Sequence, residues 1–110
     1  MTRDRVSQLL SAFQSKRLLV IGDLMLDEFL WGKVSRISPE APVPVVEVVK
    51  EEYFPGGAAN VARNLAEFSK GVHIMGVTGV GLHADQLKGL LTGEGIGIVQ
   101  CSRTSAIRPW

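Results

Sequence analysis

Four consecutive apolar residues, Leu18-Leu19-Val20-Ile21, stop abruptly at Gly22. A run this short, with no polar alternation, predicts a strand covered on both faces, as in a parallel sheet flanked by helices. The flanking segments agree with that reading. Val6, Leu9, Leu10 and Phe13 fall at i, i+3, i+4 and i+7, one face of a short amphipathic helix. Ala58, Val61, Ala62, Leu65 and Phe68 repeat the pattern, with Arg63 and Glu67 an i, i+4 pair on another face. Gly71 marks the helix end, and Val72 to Val77 reads as the next strand. A helix over Asp85 to Leu91, with Leu87, Leu90 and Leu91 inward, precedes a third strand from Ile96 to Val99. Strands alternating with helices at this spacing predict α/β architecture with parallel pairing through right-handed crossovers.

One stretch breaks the alternation. From Glu28 to Tyr53 the chain is rich in aromatics, valine and proline and has no helical period. Phe29-Leu30-Trp31 and Val45 to Val49 read as extended, and Pro39, Pro42 and Pro44 confine the region to a loop and edge strands. Residues 28–54 are expected to form a small β excursion inserted after the first strand.

Composition narrows the function classes. Twelve basic and 11 acidic residues are mixed along the chain, so neither a nucleic-acid stripe nor a polybasic membrane segment stands out. No apolar run is long enough to span a membrane, and Arg3 and Arg5 have no apolar signal-peptide region behind them. A single cysteine, Cys101, forms no internal disulfide and suits a reducing cytoplasm, which is the expected location. His73, His83 and Cys101 show no zinc-ligand spacing, so no metal site is expected.

Two constellations have the residue types for binding a polar ligand. Gly22-Asp23-Leu24-Met25-Leu26-Asp27 leaves the carboxyl end of the first strand, where ligands bind in open α/β sheets. Asp23 and Asp27 there can accept hydrogen bonds from vicinal hydroxyls, or simply terminate a strand in water. Pro55-Gly56-Gly57-Ala58-Ala59-Asn60 lets backbone approach a ligand and opens a helix whose free N–H groups favour oxygen-rich partners. Asn60 in the first turn both donates to and accepts from a hydroxyl. The competing reading is a glycine turn before a tightly packed helix. Gly79-Val80-Gly81-Leu82-His83-Ala84 satisfies the dinucleotide pattern G-x-G-x-x-G/A. It is set aside because it follows a later strand, and no Asp or Glu closes the next one at Val99-Gln100-Cys101.

The order of these segments resembles the ribokinase-like, phosphofructokinase-B type, carbohydrate kinases. Ser35-Arg36-Ile37-Ser38-Pro39-Glu40-Ala41-Pro42-Val43-Pro44-Val45 and Pro55 to Ala62 are similar to the heptose-7-phosphate kinase branch of that superfamily. The resemblance covers about residues 15–100. It implies the three-layer ribokinase-like fold with a parallel central sheet, an inserted β lid over 28–54, and residues 1–110 as the N-terminal part of a kinase domain. By the same resemblance Asp27 grips sugar hydroxyls, Gly57 and Asn60 line the same pocket, and Gly56-Gly57 is the lid hinge. Asp23, from its place at the strand end, is a candidate for the same binding set, and Arg36 is expected to meet the substrate phosphate. A phosphosugar substrate and a homodimer formed through the lid are implied as partners, with no nucleic acid or membrane.

The sequence departs from the family in two places. The segment from Gly79 has Gly81 and Ala84 where the family carries an acidic residue and a second glycine. The family's late G-A-G-D element, an anion hole with an aspartate base, does not occur before Trp110. ATP and Mg²⁺ are therefore expected for a longer parent, while these 110 residues are expected to hold neither well and to contain no catalytic residue. The alternatives are a non-catalytic remnant that binds sugar or dimerises, and another sugar kinase of the superfamily.

Overall fold

Leu18 to Ile21 lie in a strand, but only alternate residues of it are covered. The computed structural model describes residues 1–103; Trp110, and the side chain of Cys101, lie outside the described part. The elements in chain order are α1 (Arg3–Phe13), β1 (Arg17–Ile21), β2 (Leu24–Ile37), β3 (Pro44–Gly57), α2 (Ala58–Ala66), β4 (Gly71–Thr78), α3 (Leu82–Gly93) and β5 (Gly97–Arg103). Strands β1, β4 and β5 form a parallel sheet in the order β1-β4-β5. Strands β2 and β3 form a separate antiparallel hairpin.

The sheet order explains where the core lies. Both crossovers, β1 to β4 and β4 to β5, step in the same direction, so right-handed connections put α2 and α3 on one face. Ala59 and Ala62 of α2, Val72 and Ile74 of β4, Leu87 and Leu91 of α3, and Ile96 form the buried cluster on that face. Leu18, Val20, Leu24, Leu26 and Ile98 pack around it. Small alanines at 59 and 62 let α2 lie close to the sheet. Arg63 Nε donates to Glu94 Oε1 at 2.8 Å, fastening α2 to the end of α3. That contact replaces the expected pairing of Arg63 with Glu67, because Glu94 is brought in by the fold from 31 residues away.

Within the described residues β1 is covered on one face. Leu19 and Ile21 of β1 are 50% and 69% exposed, and Val77 and Val99 on the same side of the sheet are 55% and 54% exposed. Their neighbours at even positions face the helices. Within the described residues the sheet therefore carries helices on one face. The amphipathic stripe of α1 is likewise open, with Val6, Leu10 and Phe13 exposed and only Leu9 half-covered. Val61 on α2 and Phe68 just beyond it are exposed, while Ala59 and Ala62 are buried. Leu90 of α3 is half-buried, so Ala84, Leu87 and Leu91 carry that helix's packing. The β excursion is longer than residues 28–54: its strands begin at Leu24 and end at Gly57.

One buried polar group ties two strands of the sheet together. Ser69, 3% exposed, donates from its hydroxyl to the Lys16 carbonyl at 2.6 Å and accepts from the Gly71 amide at 3.1 Å. It thus fixes the starts of β1 and β4 to each other. Ser69→Ala leaves both partners short of a bond and is expected to cost about 1–3 kcal/mol. A fall in the urea midpoint at matched protein concentration checks this.

Candidate functional site

The hairpin leaves and rejoins the body at one point, the carboxyl end of β1. The Gly22 amide donates to the Met75 carbonyl at 3.3 Å, holding the chain to β4 as β1 ends. The next carbonyl, of Asp23, accepts from the Ala58 amide at 2.8 Å and so joins the end of β1 to the first residue of α2. Leu24 then pairs with Gly57 across the hairpin. Both hairpin strands therefore meet the sheet where α2 begins.

Glycines are required at this junction for two different reasons. Gly57, the residue before α2, has φ 56° and ψ −132°, a conformation that side chains resist. A Cβ there would also lie 2.6 Å from the Asp23 carbonyl oxygen. Gly56 is buried, and a Cβ on it would collide with the Asp27 carboxylate. The empty side of Gly56 is thus the space into which Asp27 is folded.

The expected residues separate into two groups. Asp27 lies over Gly56, next to Gly57, and Asn60 stands in the first turn of the helix that Gly57 starts. Asp27 and Asn60 are both exposed, so a ligand can reach them. The Asp23 side chain is also exposed, while its carbonyl does the joining described above. An exposed carboxylate and an exposed side-chain amide beside a glycine pair can bind vicinal hydroxyls without large rearrangement. Arg36 is elsewhere. It pairs with Val45 near the far end of the hairpin, and nine residues of strand from Asp27 span roughly 30 Å. The structure does not bring Arg36 to the Asp27 group within one chain.

Two features carry polar groups that the sequence reading passed over. Tyr53 on β3 donates its hydroxyl to Glu28 Oε1 at 3.1 Å and approaches Glu51 Oε2 at 3.4 Å, while its ring lies 5.8 Å from that of His83 on α3. The Glu28 carboxylate, followed by desolvation, pushes the Tyr53 phenol above its ordinary range. The second feature is Thr78, 5% exposed at the end of β4, whose Oγ1 has no hydrogen-bond partner. The only signal for it was position: Thr78 falls in the same alternation as Val72 and Ile74, which face the core. Among the described residues no group of three His, Cys, Asp or Glu side chains could hold a metal. No described helix is long and apolar enough to cross a membrane.

Comparison with known proteins agrees with this layout. The family model described as pfkB family carbohydrate kinase matches residues 15–109. The bifunctional protein HldE of Desulfatibacillum aliphaticivorans is 55% identical over 86 residues, covering 78% of this chain and 18% of that protein. The bifunctional protein HldE of Syntrophotalea carbinolica is 48% identical over 98 residues, covering 89% of this chain and 20% of that protein. The chain thus spans about a fifth of the length of these relatives. Among solved structures, the fructokinase with bound ATP from Xylella fastidiosa superposes with a TM-score of 0.58 at 24% identity. That match covers 83% of this chain and 26% of the fructokinase, and it shows a shared fold.

Proposed function

Because this chain belongs to the pfkB family of carbohydrate kinases, we propose that it forms the sugar-gripping part of an ATP-dependent kinase for D-glycero-D-manno-heptose 7-phosphate. The observation that carries the reading is the Asp27 carboxylate folded over Gly56 beside the glycine-started helix that bears Asn60. In the reaction, the ATP γ-phosphate passes to the anomeric hydroxyl of the heptose phosphate, in the synthesis of ADP-heptose for lipopolysaccharide. ATP with Mg²⁺ supplies the transferable group and neutralises its charge when bound. The residues here do other work. Asp27 accepts hydrogen bonds from the sugar hydroxyls, Asn60 orients them, and Asp23 flanks the group. The hairpin covers the sugar by turning about Gly56-Gly57 and excludes water from the transfer. The site is placed in the cytoplasm, where ATP is available.

The hairpin also carries the proposed contact between subunits. Phe29, Trp31, Val34, Ile37, Val46 and Val49 are exposed on it. An exposed, valine-rich two-stranded ribbon is a template for pairing with a second copy. A homodimer joined by its hairpins gives Arg36 its use, since a single sugar phosphate cannot bridge roughly 30 Å of strand. We place the phosphate contact of Arg36 across that dimer. Titration of heptose 7-phosphate and of unphosphorylated heptose into the complete kinase tests both points. Arg36→Ala is expected to weaken the phosphorylated sugar about tenfold and the plain sugar little, because a guanidinium pairs with phosphate oxygens. Equal weakening of both ligands would assign Arg36 to the shape of the hairpin.

A further inference from the structure

Residues opposite each other in an antiparallel pair share a face, and every second residue along a strand returns to it. Asp27 is paired with Phe54, and Phe29 follows Asp27 by two residues, so the three side chains share one face at the base of the hairpin. The opposite face carries Leu24 and Leu26, which pack against the core, and Pro55, which is buried. On the Asp27 face the carboxylate lies over Gly56, toward the junction with α2. Phe29 lies on the outward side, its ring centroid 5.5 Å from that of Phe54 at an interplanar angle of 76°. Edge-to-face is a favoured arrangement of two aromatic rings, and here it holds Phe54 in place while 38% of that residue stays exposed. Phe54 stands inward of the residues proposed for subunit contact, of which Phe29 is the innermost.

A ring-form sugar has two kinds of surface. Its hydroxyls stand around the rim, and its faces present C–H groups that are weakly positive. The face of an aromatic ring is negative, so it attracts such C–H groups and also removes them from water. Small-ligand sites combine a few polar groups that fix orientation with apolar and aromatic walls. Asp27 and Asn60 are polar groups of that kind, and Gly56 and Gly57 beside them have no side chain to form a wall. A hairpin that closes over the sugar with its Asp27 face brings Phe54 down with it. We propose that Phe54 is the stacking platform for the sugar ring whose hydroxyls Asp27 accepts, with Phe29 as the positioning residue that holds the platform edge-on. The proposal rests on the sugar reading of the Asp27 site and narrows its substrate class. The ligand is a cyclic sugar with an open C–H face, and an open-chain polyol with the same hydroxyls fits less well.

Calorimetric titration of the complete kinase with heptose 7-phosphate, unphosphorylated heptose and the reduced, ring-less heptitol 7-phosphate tests this. Phe54→Leu keeps an apolar side chain but removes the aromatic face. It is expected to weaken both ring sugars about fivefold, the scale of one aromatic contact, and to leave the heptitol nearly unchanged. The preference for ring over open chain should therefore shrink about fivefold, a change that mere loosening of the hairpin would not produce. Phe54→Tyr keeps the ring and should restore wild-type affinity. Because Phe29 acts through Phe54, adding Phe29→Leu to Phe54→Leu should weaken the sugar no further. Asp27→Ala, titrated in parallel, separates the two readings. Loss of affinity in Asp27→Ala with none in Phe54→Leu would overturn the platform and leave the sugar site standing, whereas loss in neither would remove both. An equal effect of Phe54→Leu on ring sugar and heptitol would also overturn the platform, as would a change in association state by light scattering with sugar affinity unchanged.

Discussion

Replacing Asp27 by alanine in the complete kinase is expected to cost about ten- to a hundredfold in affinity for heptose 7-phosphate, the scale of a hydrogen bond to a charged group. ATP affinity should hardly change, because the role proposed for Asp27 is toward the sugar alone. The size of the effect follows from the site's construction. The carboxylate lies over a buried glycine, so it is already positioned and loses little freedom when the sugar arrives. Gly56→Ala provides an independent check. Its Cβ would occupy the space of the Asp27 carboxylate, so the same loss of sugar affinity should appear without any change of charge. Calorimetric titration reads both variants. Unchanged affinity in Asp27→Ala would remove Asp27 from the sugar site, whatever Gly56→Ala does.

The junction that holds this site was legible in the sequence because its constraints are local. A glycine pair before a helical period implies a backbone conformation that few residues adopt, and Gly57 has it. The end of β1 at Gly22 and the strand–helix alternation were readable for the same reason. What periodicity could not supply was the environment of each face. Leu18 to Ile21 are all apolar, yet Leu19 and Ile21 face outward while Leu18 and Val20 pack on the core. That difference depends on both crossovers landing on one side, which no four-residue window contains. The distance of Arg36 from Asp27 was not legible for a related reason. Its place in a family motif says nothing of the strand length between it and Asp27, and the β2–β3 register supplies that length. Thr78 was passed over because threonine is ordinary at a strand end, and only its burial without a partner marks it.

The 110-residue chain expressed by itself is expected to associate and to show no sugar-dependent ATP turnover. A folded monomer of 11.9 kDa exposes about 6,000 Å², whereas this chain exposes 8424 Å². The excess, about 2,400 Å², is in the range that obligate interfaces bury. Shape agrees with area: the radius of gyration is 19.2 Å, against about 13 Å for a compact domain of 100 residues. The excess has an identifiable chemistry. Leu19, Ile21, Val77 and Val99 form an open apolar sheet face, and the hairpin adds Phe29, Leu30 and Trp31. Covering such surface is worth about 25 cal/mol per Å² of apolar area. Against a net stability of about 5–15 kcal/mol, leaving it in water is a large fraction of the whole. Size-exclusion chromatography with light scattering should therefore find assemblies, and mild denaturant should disperse them before the core exchanges its amides. The core amides to follow are those of Val72 and Ile74, which are 2% and 0% exposed. ATP consumption with heptose 7-phosphate should stay at background, since the sequence holds no G-A-G-D element to cradle phosphates and deprotonate the sugar. A monodisperse monomer with fully protected sheet amides would show that the open face is tolerated in water. Sugar-dependent turnover would require a base among these 110 residues, and Asp23 and Asp27 would be the first positions to test for it.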